Sequence, residues 1–256
     1  MNSTLVRIFG WPMPLFHADT TVLDRWLWLR KRLPPANGPK TLLDVGCGSG
    51  AFTIGAALRG YDALGLSWDL RNQNAAIERA RMCNAKTAEF QVQDIRELNE
   101  RENLFGRFDV AICCEAIEHI INDEKLMRDI ARCLTPGGRL LLTTPNFYLR
   151  PIDQQHEGPF PAVEDGGHVR KGYTPERLVQ LCDRAGLKPE AISYCTGFVS
   201  QKITHLHFIT KKIHPAFAWL VINPFRIFPI LLDDVVTKWF QYPHYSICLE
   251  ASKPCS

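Results

Sequence analysis

The sequence predicts an α/β fold built on a mostly parallel, doubly wound sheet, and three observations predict it. Thr41–Val45 is a short apolar, β-capable run. It is closed by the glycines of Asp44-Val45-Gly46-Cys47-Gly48-Ser49-Gly50 and followed by a stretch of small and apolar residues with helical character. Strand-like and helix-like segments then alternate as far as Thr143. Acids stand at the expected strand ends, Asp94 after the third and Glu115 and Glu118 after the fourth. In an open parallel sheet those ends border the ligand crevice.

Each element has a local reason. Residues 1–18 are apolar and broken by proline, which suits an arm lying on the domain. Asp19 or Thr20 can cap a helix that runs to Leu33, with Leu23, Trp26, Leu27 and Arg30 on adjacent turns, and Pro34-Pro35 ends it. Trp26 and Trp28 read as packing residues. Strands are expected at 62–66, 89–93, 108–113 and 139–143, and helices at 51–58, 70–83 and 123–134. Thr135-Pro136-Gly137-Gly138 is expected to be a turn. A long loop, 145–173, is rich in Pro, Gly, His and acids, and loops of that length inside a domain are usually functional. A helix over 174–185 with Thr174 as its cap and Gly186 as its stop leads to strands near 190–195 and 245–251.

Between those two strands lies an insertion over 198–242. It carries Lys202, Lys211, Lys212, Arg226 and Lys238 against Asp233 and Asp234, and it is rich in Phe, Trp and Ile. It reads as a lid, as a plain helical hairpin, or as a surface for peripheral membrane contact. The expected organisation is one domain over 1–256: an arm and helix (1–35), a core (36–197 with 243–256) and a helical cap (198–242).

Composition narrows the classes. The chain has 256 residues, 46% of them hydrophobic and 22% charged, so it can bury a substantial core. A net charge of +3, without a basic stripe of interleaved aromatics, leads us to expect no stable nucleic-acid partner. Nine scattered cysteines with no C-x-x-C suit reduced thiols in a cytoplasm. No basic n-region with a long apolar stretch opens the sequence, and no apolar run reaches a membrane span. The expected location is therefore cytoplasmic, with contact at the inner membrane face left open through 198–242. The sequence sets no oligomeric state.

The glycine loop alone is ambiguous. Gly46, Gly48 and Ala51 also fit a dinucleotide fingerprint, G-x-G-x-x-A. Asp69, about 20 residues past the loop, suits a ribose-binding acid or an N-cap for the next helix equally well.

Taken together, LLDVGCGSG, the acid after strand two, Asp94, FDVAICCEAIEHI and LTPGGRLLLTTPN resemble the class I S-adenosylmethionine-dependent methyltransferases, over roughly 40–195 and the last strand. In motif the chain is most similar to the ubiquinone-pathway catechol O-methyltransferases and to the type 11/12 methyltransferases. The resemblance implies a Rossmann-like, seven-stranded sheet whose last strand is antiparallel and lies between its two predecessors. It implies S-adenosylmethionine as cofactor. Asp44, Gly46, Cys47, Gly48 and Gly50 would hold its methionine part, and Ser67, Trp68 and Asp69 would surround ribose and adenine. Asp94, with Ile95, would take the adenine amino group, and Glu115 would complete the site. The family's usual ribose acid stands where this chain has Ser67, so Asp69 or Asn72 would substitute.

Glu115, Glu118 and His119 have the spacing i, i+3, i+4, which puts three donors on one face of a helical turn. His168, in the long loop, offers a fourth. This donor set suits Mg²⁺ or another divalent cation. E-x-x-E-H with a downstream His is similar to the same catechol enzymes and to those that methylate the terminal ribose of small RNAs, both of which would use the ion to hold neighbouring hydroxyls. Without an ion, His119, His156 or His168 would act as direct base, or Glu118 and His119 would only orient and line the pocket. Cys113 and Cys114 are expected to pack. The expected activity is O-methylation of a small hydroxylated, aromatic or lipid-like acceptor. The alternatives are an RNA ribose methyltransferase, an NAD(P)-dependent oxidoreductase and a non-catalytic relative.

Overall fold

The computed structural model describes residues 6–7, 10–11, 20–152 and 158–255. Most of the expected arm, the Asp19 cap and His156 lie outside the described residues.

The elements are α1 (Thr20–Arg32), β1 (Thr41–Val45), α2 (Ala51–Ala57), β2 (Asp62–Ser67), α3 (Leu70–Met82), β3 (Ala88–Val92), β4 (Phe108–Cys114), α4 (Asp123–Cys133), β5 (Leu134–Pro145), α5 (Pro175–Ala185), β6 (Lys188–Cys195), α6 (Phe198–Lys211), α7 (Pro215–Ile222), α8 (Ile227–Trp239) and β7 (Ser246–Ser252). All seven strands join one sheet in the order β3-β2-β1-β4-β5-β7-β6. Only the pairings of β7, with β5 and with β6, are antiparallel. The expected sheet, with its antiparallel last strand between the two before it, is the one observed.

Alternation along the strands divides the core into two layers. Leu42 packs with Trp26, Leu29 and Ile54 on one face, and Leu43 packs with Leu126, Ile130 and Leu178 on the other. From β1 the chain winds outward through β2 to β3, then returns to β4 on the opposite side of β1. The carboxyl ends of β1 and β4 therefore bound the switch-point crevice of the sheet. Asp44 is in register with Gly65 on β2 and Ile112 on β4.

One element differs from expectation. Thr135–Gly138 lies inside β5 as a break in register of four residues against one, rather than as a turn before it, for Leu134 pairs with Phe108 and Arg139 already pairs with Val110. The extra residues are tied on their other side. Gly137 N–H donates to the Lys253 carbonyl, and Lys253 N–H donates to that of Gly138.

The insertion is helical. Its roots, Cys195 and Ser246, are partners in the β6–β7 register. The first turn of α6 has no cap from its own sequence. Asp233 on α8 accepts N–H bonds from Gly197, Val199 and Ser200 at 2.6, 2.7 and 3.2 Å, and Thr237 accepts from Phe198 at 2.7 Å. Among the described residues no helix is long and apolar enough to cross a membrane.

Candidate active site

A cleft of about 370 Å³ opens at the switch point. Gly46 and Gly48 form one wall, and Ser67, Trp68 and Asn72 follow from the end of β2. Asp94, Ile95 and Arg96 come from the end of β3, and Glu115, Ala116 and His119 from the end of β4. Residues 164–166 of the long loop close the mouth. A larger groove of about 560 Å³ runs along α3 and the β3 edge, beside Arg81 and Phe90, and contains none of these groups.

The glycine loop fits its place for two different reasons. Gly46 has φ 81°, and a Cβ there would come within 2.7 Å of the Ala116 Cβ, so the crevice closes only around glycine. Gly48 has φ 51° and nothing within 4 Å of its absent Cβ. It leaves backbone bare against open cleft, as a cradle for a ligand must. Gly50 follows as the left-handed N-cap of α2.

Asp44 and Cys47 lie behind this wall. Asp44 is buried, accepts the Thr53 hydroxyl at 2.6 Å, and has its carboxyl pushed up to about 7 by burial. The Cys47 thiol turns inward, where Gln73 Nε2 donates to it at 3.5 Å, and burial pushes it up. Cys113 and Cys114 are buried at the end of β4 with thiols pushed up by the same cause.

At the β2 exit, Ser67 is buried against the cleft and Trp68 stands 70% exposed at its rim. Asp69 caps α3, accepting the Arg71 N–H at 2.8 Å. Asn72, one turn on, is the residue of that pair that lines the cleft. Asp94 lines it too, with its carboxyl held below the usual range, first by the Arg96 guanidinium and then by the Arg96 N–H. Arg96 also meets Glu164 of the long loop at 2.8 Å, and Glu164 accepts the Ile121 N–H. Sequence reasoning did not single out Arg96 or Glu164. The local signal for Arg96 was a cation two places after a strand-end acid.

At the β4 exit, Glu115 and Glu118 part. Glu115 adopts φ 51°, a left-handed conformation uncommon outside glycine. This turns its carboxylate to Arg25 of α1 at 3.0 Å, with the Thr143 and Ser246 hydroxyls donating at 3.1 and 3.3 Å. Glu118 sits in the short 3₁₀ turn Ile117–His119. Its Oε2 accepts the Thr144 hydroxyl at 3.0 Å, while Oε1 is buried without a hydrogen-bond partner. Burial, and then the nearby charge of Glu115, push its carboxyl well up.

His168 reaches this point because the loop is clamped to the 117–123 segment. Val169 N–H donates to the Glu118 carbonyl at 3.0 Å, Arg170 pairs with buried Asp123, and the Tyr173 hydroxyl donates to Asp123 at 3.1 Å. Ligating atoms of Glu118, His119 and His168 consequently lie within 4.8 Å of one another, and Glu115 is not among them. The His119 and His168 rings meet edge to face at 4.7 Å. His119 Nδ1 is 3.0 Å from the Gly167 carbonyl, which can only accept, so Nδ1 carries the proton in the neutral ring. Nε2 is left with its lone pair, 4.0 Å from Glu118 Oε1.

A family profile described as a methyltransferase domain matches residues 19–192. The ubiquinone biosynthesis O-methyltransferase of Dechloromonas aromatica (strain RCB) is 28% identical over 159 residues, which are 60% of this chain and 66% of that enzyme. The enzyme of the same name from Aliivibrio fischeri (strain ATCC 700601 / ES114) is 29% identical over 188 residues, 71% of this chain and 77% of that one. Among solved structures, a geranyl diphosphate methyltransferase in complex with S-adenosylmethionine superposes with a TM-score of 0.61. It is 14% identical and covers 90% of this chain and 84% of that one, a likeness of fold.

Proposed function

This chain belongs to the methyltransferase-domain family, and from that premise we propose that it transfers the methyl group of S-adenosylmethionine to a hydroxyl of a small aromatic or lipid-like acceptor. The observation that carries the reading is that His119 lines the same cleft as Gly46 and Gly48, with Glu118 and His168 at its side. The cofactor fits the bare backbone at Gly48 and the strand-end carboxyl of Asp94. The names of the curated relatives support a hydroxylated aromatic acceptor.

The cofactor supplies an electrophilic methyl group on a sulfonium. The chain must orient an acceptor oxygen and remove its proton. His119 Nε2 carries the free lone pair and receives that proton, while the Gly167 carbonyl fixes the ring. Glu118 stands beside this ring, with Oε1 4.0 Å from Nε2. Asp94 and Asn72 anchor the nucleoside end of the cleft, and Trp68 shields its rim.

A divalent cation, Mg²⁺ or another, also fits. The donor set of one carboxylate and two imidazoles is a borderline one, and a buried carboxylate oxygen lacks a partner. Glu118, His119 and His168 would hold it, and it would lower the pKa of a bound hydroxyl and template neighbouring ones.

Calorimetric titration with S-adenosylmethionine, with and without EDTA, tests both parts. Wild type and His119→Ala are expected to bind the cofactor alike. Mg²⁺ or Mn²⁺ should bind wild type and not the variant, and methylation of a catechol should fall by at least a hundredfold in the variant. Cofactor binding without metal binding leaves His119 as the base alone. No cofactor binding would end the reading.

A further inference from the structure

We propose that the cap formed by α6, α7 and α8 seats the protein on an anionic membrane surface, lying in the lipid interface without crossing it. The inference rests on which way these helices face, and it goes beyond the methyl transfer proposed above.

The cap is inside out. A helix on a soluble domain normally turns apolar residues inward and polar ones outward. On α8 the buried positions are Pro229, Asp233 and Thr237. The outward positions include Ile227, Leu231, Val235 and Trp239, exposed by 57, 67, 67 and 80%. On α6 the buried set is mostly Ser200, Gln201, Thr204, His207 and Thr210, and Leu206 and Ile209 face out.

The orientation has a structural cause. Asp233 and Thr237 supply the N-terminal cap of α6, so the polar stripe of α8 is bound inward. The apolar stripe is then left facing away from the protein. Of the 23 large hydrophobic residues exposed among those described, 14 lie between Leu206 and Phe240, in under a fifth of the chain. That density exceeds the scattered exposure of ordinary surfaces and marks a face meant to be covered.

Charge selects the occupant. The exposed ionic groups of the cap are Lys202, Lys211, Lys212 and Lys238 against Asp234 alone. Anionic headgroups complement that set, and each lysine near such a surface adds about 1 kcal/mol of attraction. A second copy of the chain fits it less well, because a two-fold contact would set the same lysines against one another. The helices are too short to span a bilayer. An exposed apolar face that carries aromatic residues, on helices whose exposed charges are mostly lysines, is the form that lies in an interface.

The test is flotation of the full-length protein with vesicles of phosphatidylcholine, with and without a fraction of phosphatidylglycerol. Wild type is expected to float with the anionic vesicles and to be released by high salt. Leu231→Glu with Val235→Glu should weaken vesicle binding by about tenfold or more. Lys211→Gln with Lys212→Gln should weaken binding to anionic vesicles by about 30-fold. Both variants replace exposed groups, and unchanged far-ultraviolet circular dichroism checks that they fold. Failure of wild type to float, equal binding to neutral vesicles, or a dimer in light scattering that Leu231→Glu dissociates would each overturn the proposal.

Discussion

Arg96 lies 2.8 Å from Glu164 and so joins the end of β3 to the loop that carries Gly167 and His168. The same guanidinium holds Asp94. The β3 end of the cleft and the His119 end are thus coupled through one side chain.

The first prediction concerns that link. Glu164→Ala removes the Arg96 contact and the acceptor for the Ile121 N–H. The pair is partly exposed, with Arg96 at 48%, and such pairs contribute at most about 1 kcal/mol. The KM for S-adenosylmethionine should rise about fivefold in steady-state assays, with a smaller fall in kcat. An unchanged KM would mean that the loop holds its place without Arg96.

A second prediction follows from Asp44. Its carboxyl is pushed up to about 7 by burial, from an ordinary 3.8. As the pH rises from about 4 to about 7, the unfolded chain loses that proton while the folded one keeps it. Stability therefore falls across this window, and above it the folded protein carries a buried charge. Asp44→Asn removes the charge and keeps the shape. Its melting temperature at pH 8 should exceed that of wild type by about 5 °C, and the gain should vanish near pH 4. Asp24, pushed up to about 7 by burial as well, should preserve part of the slope. An equal loss of stability at both pH values would show that the carboxylate is structurally required.

The third prediction separates the two constraints on Gly46. Gly46→Ala meets the Ala116 Cβ at 2.7 Å and keeps a φ of 81°. Together these should cost about 2–4 kcal/mol and abolish cofactor binding in calorimetry. Adding Ala116→Gly relieves the clash but not the backbone conformation, so roughly half the loss should return, the left-handed residue still costing about 1–2 kcal/mol. Full recovery would assign the whole effect to packing.

The sheet and the glycine loop were legible in the sequence because their signals are local: apolar runs, turn glycines and a capping Thr174. What was not legible depends on contacts across the fold. Thr135–Gly138 reads as a turn until Lys253, from the far end of the chain, pairs with it. Glu115 has the i, i+3, i+4 spacing with Glu118 and His119, yet its left-handed φ and the charge of Arg25 turn its carboxylate away from theirs, though it still lines the cleft. His168 reaches His119 only because Arg170 and Tyr173 are fastened to Asp123. The cap's composition could be read directly. Its inverted facing could not, since that depends on Asp233 and Thr237 serving a different helix.

The roots of that cap carry a consequence for the whole chain. It leaves the sheet at Cys195 and re-enters at Ser246, its register partner on the neighbouring antiparallel strand. To the sheet, three helices and their connections are one enlarged hairpin turn. Closing a longer turn costs little more than closing a short one, about 0.6 kcal/mol for each doubling of length. Closure of the turn therefore costs the sheet little whatever its length, and what ties the cap to the core is α6, whose Ser200 donates to Asp24 on α1. The proposed membrane contact and the methyl-transfer cleft thus lie on separate stretches of sequence, joined where α6 packs on α1.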